Sequence, residues 1–273
     1  MAVFAKGILA AAAALAMLGA AAGSAQAATC GNKAGGFENW KQEFAQEAAA
    51  RGIQGDALKA LSNAKYATKT ISADRNQKSF KLSLEQFMSK RGGKTIASKG
   101  KSLKKQHAAL LDRIEQRYGV PPGPLLAIWG METGFGGFLG NQHTVSAVAT
   151  LAYDCRRTEF FTNQLYAALE LVQNGTLSAS AIGAAHGEIG QTQFLPANVL
   201  KYGVDGDGNG RIDMVKSKAD ALASTANFLR GHGWQAGGGY QPGQANFGAI
   251  QGWNAAGVYQ KAIAIIGAEI DGN

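Results

Sequence analysis

One carboxylic acid stands out by its neighbours. Glu132 closes an apolar run, residues 125–131, and precedes the glycine-rich exit Gly134-Phe135-Gly136. Apolar surroundings disfavour a charged carboxylate, and the negative end of a helix repels it, so both effects raise its pKa. A carboxyl that stays protonated near neutral pH is what a general acid needs in order to protonate a leaving glycosidic oxygen. Glycines beside it let a polymer approach the backbone closely.

A second acidic pattern lies at residues 205–216, which read D-G-D-G-N-G-R-I-D-M-V-K. Asp205, Asp207, Asn209 and the turn glycine Gly210 follow the first half of an EF-hand loop, Arg211 would add a backbone carbonyl, and Asp213 takes the ninth position. The twelfth position, ordinarily a bidentate Glu, is Lys216. The loop therefore predicts at most a weakly held structural Ca²⁺, and the chemistry at Glu132 requires no cofactor.

The chain has 273 residues and a formal charge of +8. Its start pairs Lys6 with an uncharged Ala/Leu-rich run and the small-residue ending Ala25-Gln26-Ala27, which describes a secretory signal peptide over residues 1–27. The apolar run is short for a membrane span, so no stable span is expected after cleavage. Cys30 does not follow the small residue a lipoprotein site would place before it, since Thr29 stands there. The remaining 28–273 segment carries 26 Lys and Arg against 19 Asp and Glu. That balance favours anionic partners; export argues against nucleic acid and fits an anionic cell wall in the periplasm. In an oxidising compartment the simplest use of Cys30 and Cys155 is one disulfide, pinning the mature N-terminus to the domain.

The elements that must position Glu132 read as helices almost throughout. Helical spacing of apolar residues covers 37–51, 106–118, 154–172, 219–230 and 260–270, with Asp154 as a candidate N-cap. Pro121-Pro122 opens the helix that carries Glu132. Residues 190–195 form a short extended piece, while 91–105 and 231–244 read as Gly-rich exposed loops. The class is mainly α.

Several motifs then occur in a fixed order: Tyr118-Gly119-Val120-Pro121-Pro122, Gly130-Met131-Glu132-Thr133-Gly134-Phe135-Gly136, Ala149-Thr150-Leu151-Ala152-Tyr153-Asp154 with Arg156-Arg157, Ile189-Gly190-Gln191-Thr192-Gln193-Phe194-Leu195-Pro196, the acidic loop, Gly231-His232-Gly233-Trp234, and Trp253-Asn254 with Val258-Tyr259. Together they resemble the family of membrane-bound lytic transglycosylase B, glycoside hydrolase family 103, over most of the chain after the signal segment. The resemblance implies a lysozyme-like fold with a small EF-hand-like loop. It also implies cleavage of the MurNAc–GlcNAc bond of peptidoglycan, with Glu132 as the sole acid/base and a 1,6-anhydro product. By the same resemblance, Arg156, Arg157, Gln193, Trp253 and Tyr259 line the substrate cleft, the two aromatics as stacking faces or as core.

One segment departs from the family pattern. Where the family carries a serine and a small residue, this chain reads Ala184-Ala185-His186-Gly187-Glu188-Ile189-Gly190. Glu188 is expected to face solvent or a salt bridge; the alternative is that it enters the cleft and assists Glu132. The rival functions are a muramidase-type hydrolase that uses Glu188 and a non-catalytic wall-binding protein.

Overall fold

The computed structural model describes residues 28–76 and 82–272; the signal segment 1–27 lies outside them. The described residues form a mainly α protein. Its centre is α7 (Pro122–Thr133), in which every residue except Glu132 is buried. Pro121 is the extended N-cap, and Pro122 occupies a first-turn position where no amide donor is required. Gly134 closes the helix in the left-handed conformation, its N–H bonding Gly130 O, while Phe135 N–H reaches back to Trp129 O. So apolar a helix is stable only when covered on all sides. Truncating one of its fully buried side chains, such as Leu125 or Ile128, would cost about 2–5 kcal/mol.

The cover comes chiefly from α13 (Gly257–Asp271) and α5 (Gly93–Gln106). A Cβ at Gly123 would run into the Gly267 carbonyl and the Asp271 carboxylate, so a side chain there would push α13 away. Asp271 ties the same corner together: it accepts from Gly123 N–H at 2.8 Å and Tyr240 Oη at 2.8 Å, and it pairs with Lys104 at 3.2 Å.

The other side of the core is the pair α8 (Thr144–Tyr153) and α9 (Thr158–Gln173), backed by α1 (Phe37–Ala50), α2 (Asp56–Asn63) and α3 (Thr68–Arg75). Five further helices complete the frame: α4 (Leu84–Arg91), α6 (Ala108–Tyr118), α10 (Pro196–Tyr202), α11 (Lys218–Gly231) and α12 (Phe247–Trp253). One two-stranded antiparallel sheet joins β1 (Gln142–His143) to β2 (Ile182–Gly183), with Gln142 opposite Gly183. Cys30 and Cys155 form a disulfide, and Gly31 N–H bonds Tyr153 O at 2.9 Å beside it.

Two expectations are corrected. Residues 91–105 are not an exposed loop; most of them form α5. Their lysines are good helix formers, and Ile96, Ala97 and Gly100 supply a buried stripe. Asp154 does not cap α9, whose N-cap is Arg157. It sits in the turn before that helix, 1% exposed, where it accepts from Arg156 N–H and pairs with Arg75 at 3.2 Å.

Candidate active site

Glu132 projects from the last turn of α7 into a cleft of about 320 Å³. One oxygen, Oε1, accepts from two donors, Tyr259 Oη at 2.6 Å and Trp253 Nε1 at 3.1 Å. Burial raises the carboxyl pKa more than these two hydrogen bonds lower it, and Glu188 adds like-charge repulsion, so it stands at about 7. In the protonated form Oε1 is the acceptor oxygen, which leaves the proton on Oε2. An acid near its midpoint at neutral pH can give a proton and take one back.

The aromatic partners divide their roles. Tyr259 is 3% exposed, its ring edge-on to Phe87 and its hydroxyl held un-ionised by burial and by Glu132. It therefore cannot stack on a sugar; of the two alternatives, stacking face or core, Tyr259 takes the core one. Its contact is with the acid. Trp253 does line the cleft, but Phe194 and Phe228 pack edge-on against its ring. The most exposed aromatic lining the cleft is Phe160, 47% exposed, with the Arg157 guanidinium 5.8 Å from its ring centre; the sequence did not single it out.

Gln193 also lines the cleft, and it holds a left-handed backbone, φ 56°. That conformation costs about 1 kcal/mol for a non-glycine residue. A tight turn enforces it, because Ile189 and Phe194 bridge across Gly190, where a Cβ would strike the Met214 carbonyl. The Gln193 side-chain nitrogen donates to Gly190 O at 2.7 Å and Leu139 O at 3.3 Å. Its carbonyl oxygen is what it can offer a ligand, as an acceptor for N–H or O–H groups.

The same cleft also has a charged part of its lining. Glu188 lines it with His186 and Arg157. His186 Nδ1 meets Glu188 Oε1 at 3.1 Å, and His186 N–H donates to Oε2 at 2.9 Å. Burial favours the neutral carboxyl, but the hydrogen bonds and charge of His186 outweigh it and lower the Glu188 pKa. For His186, burial favours the neutral ring, and Glu188 and Asp74 overcome it, raising that pKa. Asp74, on α3, is the hub beneath: its side chain, 1% exposed, pairs with Arg157 at 2.7 Å and with Arg156, and lies 3.8 Å from His186 Nε2. Arg157 reaches the cleft, whereas Arg156 is not among its lining residues. Glu188 thus makes the expected salt bridge, and makes it within the cleft lining. Asp74 and His186 carried no motif signal.

The acidic loop sits apart. Asp205 accepts Gly208, Asn209 and Gly210 N–H groups, and these bonds, Gly210's first, lower its pKa. Asp205 and Asp207 converge with Asp220, a fully buried residue at the start of α11 that lies outside the sequence pattern. Asp213 does not join them. Its carboxylate Oδ1 accepts Val215 and Lys216 N–H.

The chain belongs to the Transglycosylase SLT domain family, which matches residues 36–244. It is 35% identical over 136 residues to membrane-bound lytic murein transglycosylase B of Escherichia coli strain K12; the match covers 48% of this chain and 37% of that relative's length. In structure it is similar to SltB3 of Pseudomonas aeruginosa, solved in complex with NAG-anhNAM-pentapeptide. The TM-score is 0.81 at 30% identity, covering 87% of this chain and 80% of that one. Escherichia coli Slt35, solved with bulgecin A, shares the fold at TM-score 0.76 and 23% identity, covering 89% of this chain and 96% of that one. Among the described residues no helix is long and apolar enough to cross a membrane.

Proposed function

We propose that this protein is a periplasmic peptidoglycan lytic transglycosylase. It cleaves the MurNAc–GlcNAc β-1,4 bond and leaves 1,6-anhydro-MurNAc ends. The observation that carries the reading is the state of Glu132: one oxygen is engaged by Tyr259 and Trp253, the other opens to the cleft, and the pKa lies at about 7.

Protonated Glu132 gives its Oε2 proton to the glycosidic oxygen as the bond to C1 breaks. The departing saccharide leaves the ionised carboxylate beside the muramoyl C6 hydroxyl. Glu132 takes that hydroxyl's proton, and O6 closes on C1. No water is consumed, and intramolecular attack replaces an enzyme nucleophile. Phe160 offers a ring face to a sugar, the Gln193 carbonyl oxygen accepts an N-acetyl N–H or a hydroxyl, and Arg157 meets peptide carboxylates or sugar oxygens. Arg156 supports this wall from behind through Asp74.

The test is mass spectrometry of soluble products from purified sacculi. Muropeptides ending in 1,6-anhydro-MurNAc are expected; reducing MurNAc ends alone would refute the reaction.

In the acidic loop, Asp205, Asp207 and Asp220 would hold Ca²⁺, since three carboxylates present ligand atoms within 4.8 Å of one another. The Asn209 side chain and the Arg211 carbonyl belong to the same turn. The role is structural and the affinity weak, because Lys216 supplies no bidentate carboxylate. Millimolar Ca²⁺ should raise the melting temperature by a few degrees over EDTA. An unchanged melting temperature would rule the site out.

A further inference from the structure

The Glu188 wall is where this chain departs from its family's residue pattern, and the cleft gives that departure a chemical meaning. Glu188 and Glu132 line the same cavity. They are close enough for the charge on Glu188 to act on Glu132. Glu188 is not a solvated surface acid: its side chain is 23% exposed, both its oxygens are engaged by His186, and Asp74 and Arg157 stand behind His186. Ionised carboxylates are seldom buried without a purpose or a partner, and this one has been given a cation, His186, beside it in the cleft wall.

Cleavage of a glycosidic bond passes through an oxocarbenium-like ring that carries positive charge at C1 and the ring oxygen. Fixed opposite charge placed where such charge develops stabilises the transition state more than the ground state. We propose that Glu188, clamped by His186, is a second carboxylate of the reaction, whose negative charge stabilises the cationic muramoyl ring while Glu132 delivers its proton. This rests on the transglycosylase reading. Glu188 forms no bond and moves no proton, so the anhydro product is unchanged.

The groups that set the charge of this pair come from the Glu188 turn and six helices. His186 belongs to the same turn as Glu188, Asp74 to α3, Arg157 to the start of α9, and Glu132 to α7. Glu132 in turn faces Tyr259 of α13, Trp253 of α12 and Arg91 of α4.

The experiment measures kcat, KM and product ends across pH for full-chain wild type, Glu188→Gln, Glu188→Asp and His186→Asn, on sacculi in ¹⁸O water. Glu188→Gln should lower kcat about 10- to 100-fold with KM within about threefold, because the loss is of transition-state stabilisation. It should also move the basic limb of the kcat profile to lower pH, since Glu132 loses its like-charged neighbour. A packing role would leave that limb in place. Wild-type kcat with an unmoved limb in Glu188→Gln, or a loss confined to KM, would overturn the proposal. So would ¹⁸O-labelled reducing ends in wild type that vanish in Glu188→Gln, which would make Glu188 a base for water. If Glu188→Gln does not fold, Glu188→Asp, which keeps the charge, should exceed His186→Asn in kcat; equal values would overturn it. Wild type giving no anhydro ends would instead refute the transglycosylase reading itself.

Discussion

The two walls of the cleft treat the same functional group in opposite ways. Glu132, at the end of α7, accepts hydrogen bonds among the described residues only from neutral donors, Tyr259 and Trp253, and both use one oxygen. Glu188, in the glycine-rich turn after β2, is met by His186 on both oxygens, with the ring cationic over a wider pH range than a free histidine. Both carboxyls are largely withdrawn from water, yet one pKa rises to about 7 and the other falls below its ordinary value. Burial therefore does not decide the charge state by itself. Whether a cation accompanies the carboxyl does, and each charge state reinforces the other, because an ionised Glu188 helps keep Glu132 protonated.

Removing the acid should break the comparison most severely. Glu132→Gln keeps the shape and the two donors but can carry no proton, and turnover should fall by at least about 1,000-fold in a sacculus-solubilisation assay. The same variant should be more stable than wild type in alkali. A carboxyl raised from 4.5 to about 7 in the fold contributes fully below pH 4.5, and that contribution is lost as pH rises through 7. At pH 8 the ionised, buried Glu132 should cost on the order of 2–3 kcal/mol, allowing for its opening to the cleft. Thermal melts of the two proteins should thus diverge between pH 5 and pH 8, Glu132→Gln melting higher. Parallel curves would place the carboxyl in water.

This asymmetry was only half legible in the sequence. The raised pKa of Glu132 follows from local facts: an apolar run, a proline start and a glycine stop put it at a buried helix end. The helices with strong apolar periodicity, such as α1, α6, α9 and α13, were legible for the same reason. The helix α5 was not, because a sequence of Lys, Gly and Ser looks solvated until α13 covers its narrow apolar stripe. The other wall depends on contacts between distant segments. Asp74 lies more than 80 positions before Arg156 and Arg157, yet it fixes both and approaches His186. Nothing in a six-residue window could reveal that hub. Asp220 escaped notice likewise, since an EF-hand template looks no further than Lys216.

Unclamping the charged wall should have a smaller effect. His186→Asn leaves Glu188 without its cation, and kcat should fall about 10-fold. The stability change has a definite pH window. A raised His contributes fully below 6.5 and loses its contribution as pH rises through its folded pKa, whereas a lowered Glu contributes fully above 4.5 and loses it as pH falls. The wild-type advantage over His186→Asn should therefore peak between pH 4.5 and 6.5, at about 1–2 kcal/mol. A pH-independent difference would mean that the ring only fills space.

The finest probe is the hydroxyl of Tyr259. Tyr259→Phe removes the shorter of the two bonds to Oε1 without opening the core, because the ring stays packed on Phe87. That bond lowers the Glu132 pKa, so its loss must raise it. The variant should hold its proton to higher pH, and the basic limb of its kcat profile should move up, opposite to the shift expected of Glu188→Gln. As a base the carboxylate also loses a donor that stabilises its charge, so closure of O6 on C1 should not slow for lack of basicity. The cost should instead appear as looser positioning of Oε2, a fall in kcat of about three- to 10-fold. Measured together, the two limbs should bracket wild type from either side. If both variants move the limb the same way, Tyr259 and Glu188 do not act on one carboxyl in opposite senses, and the division of the cleft into a neutral and a charged wall fails.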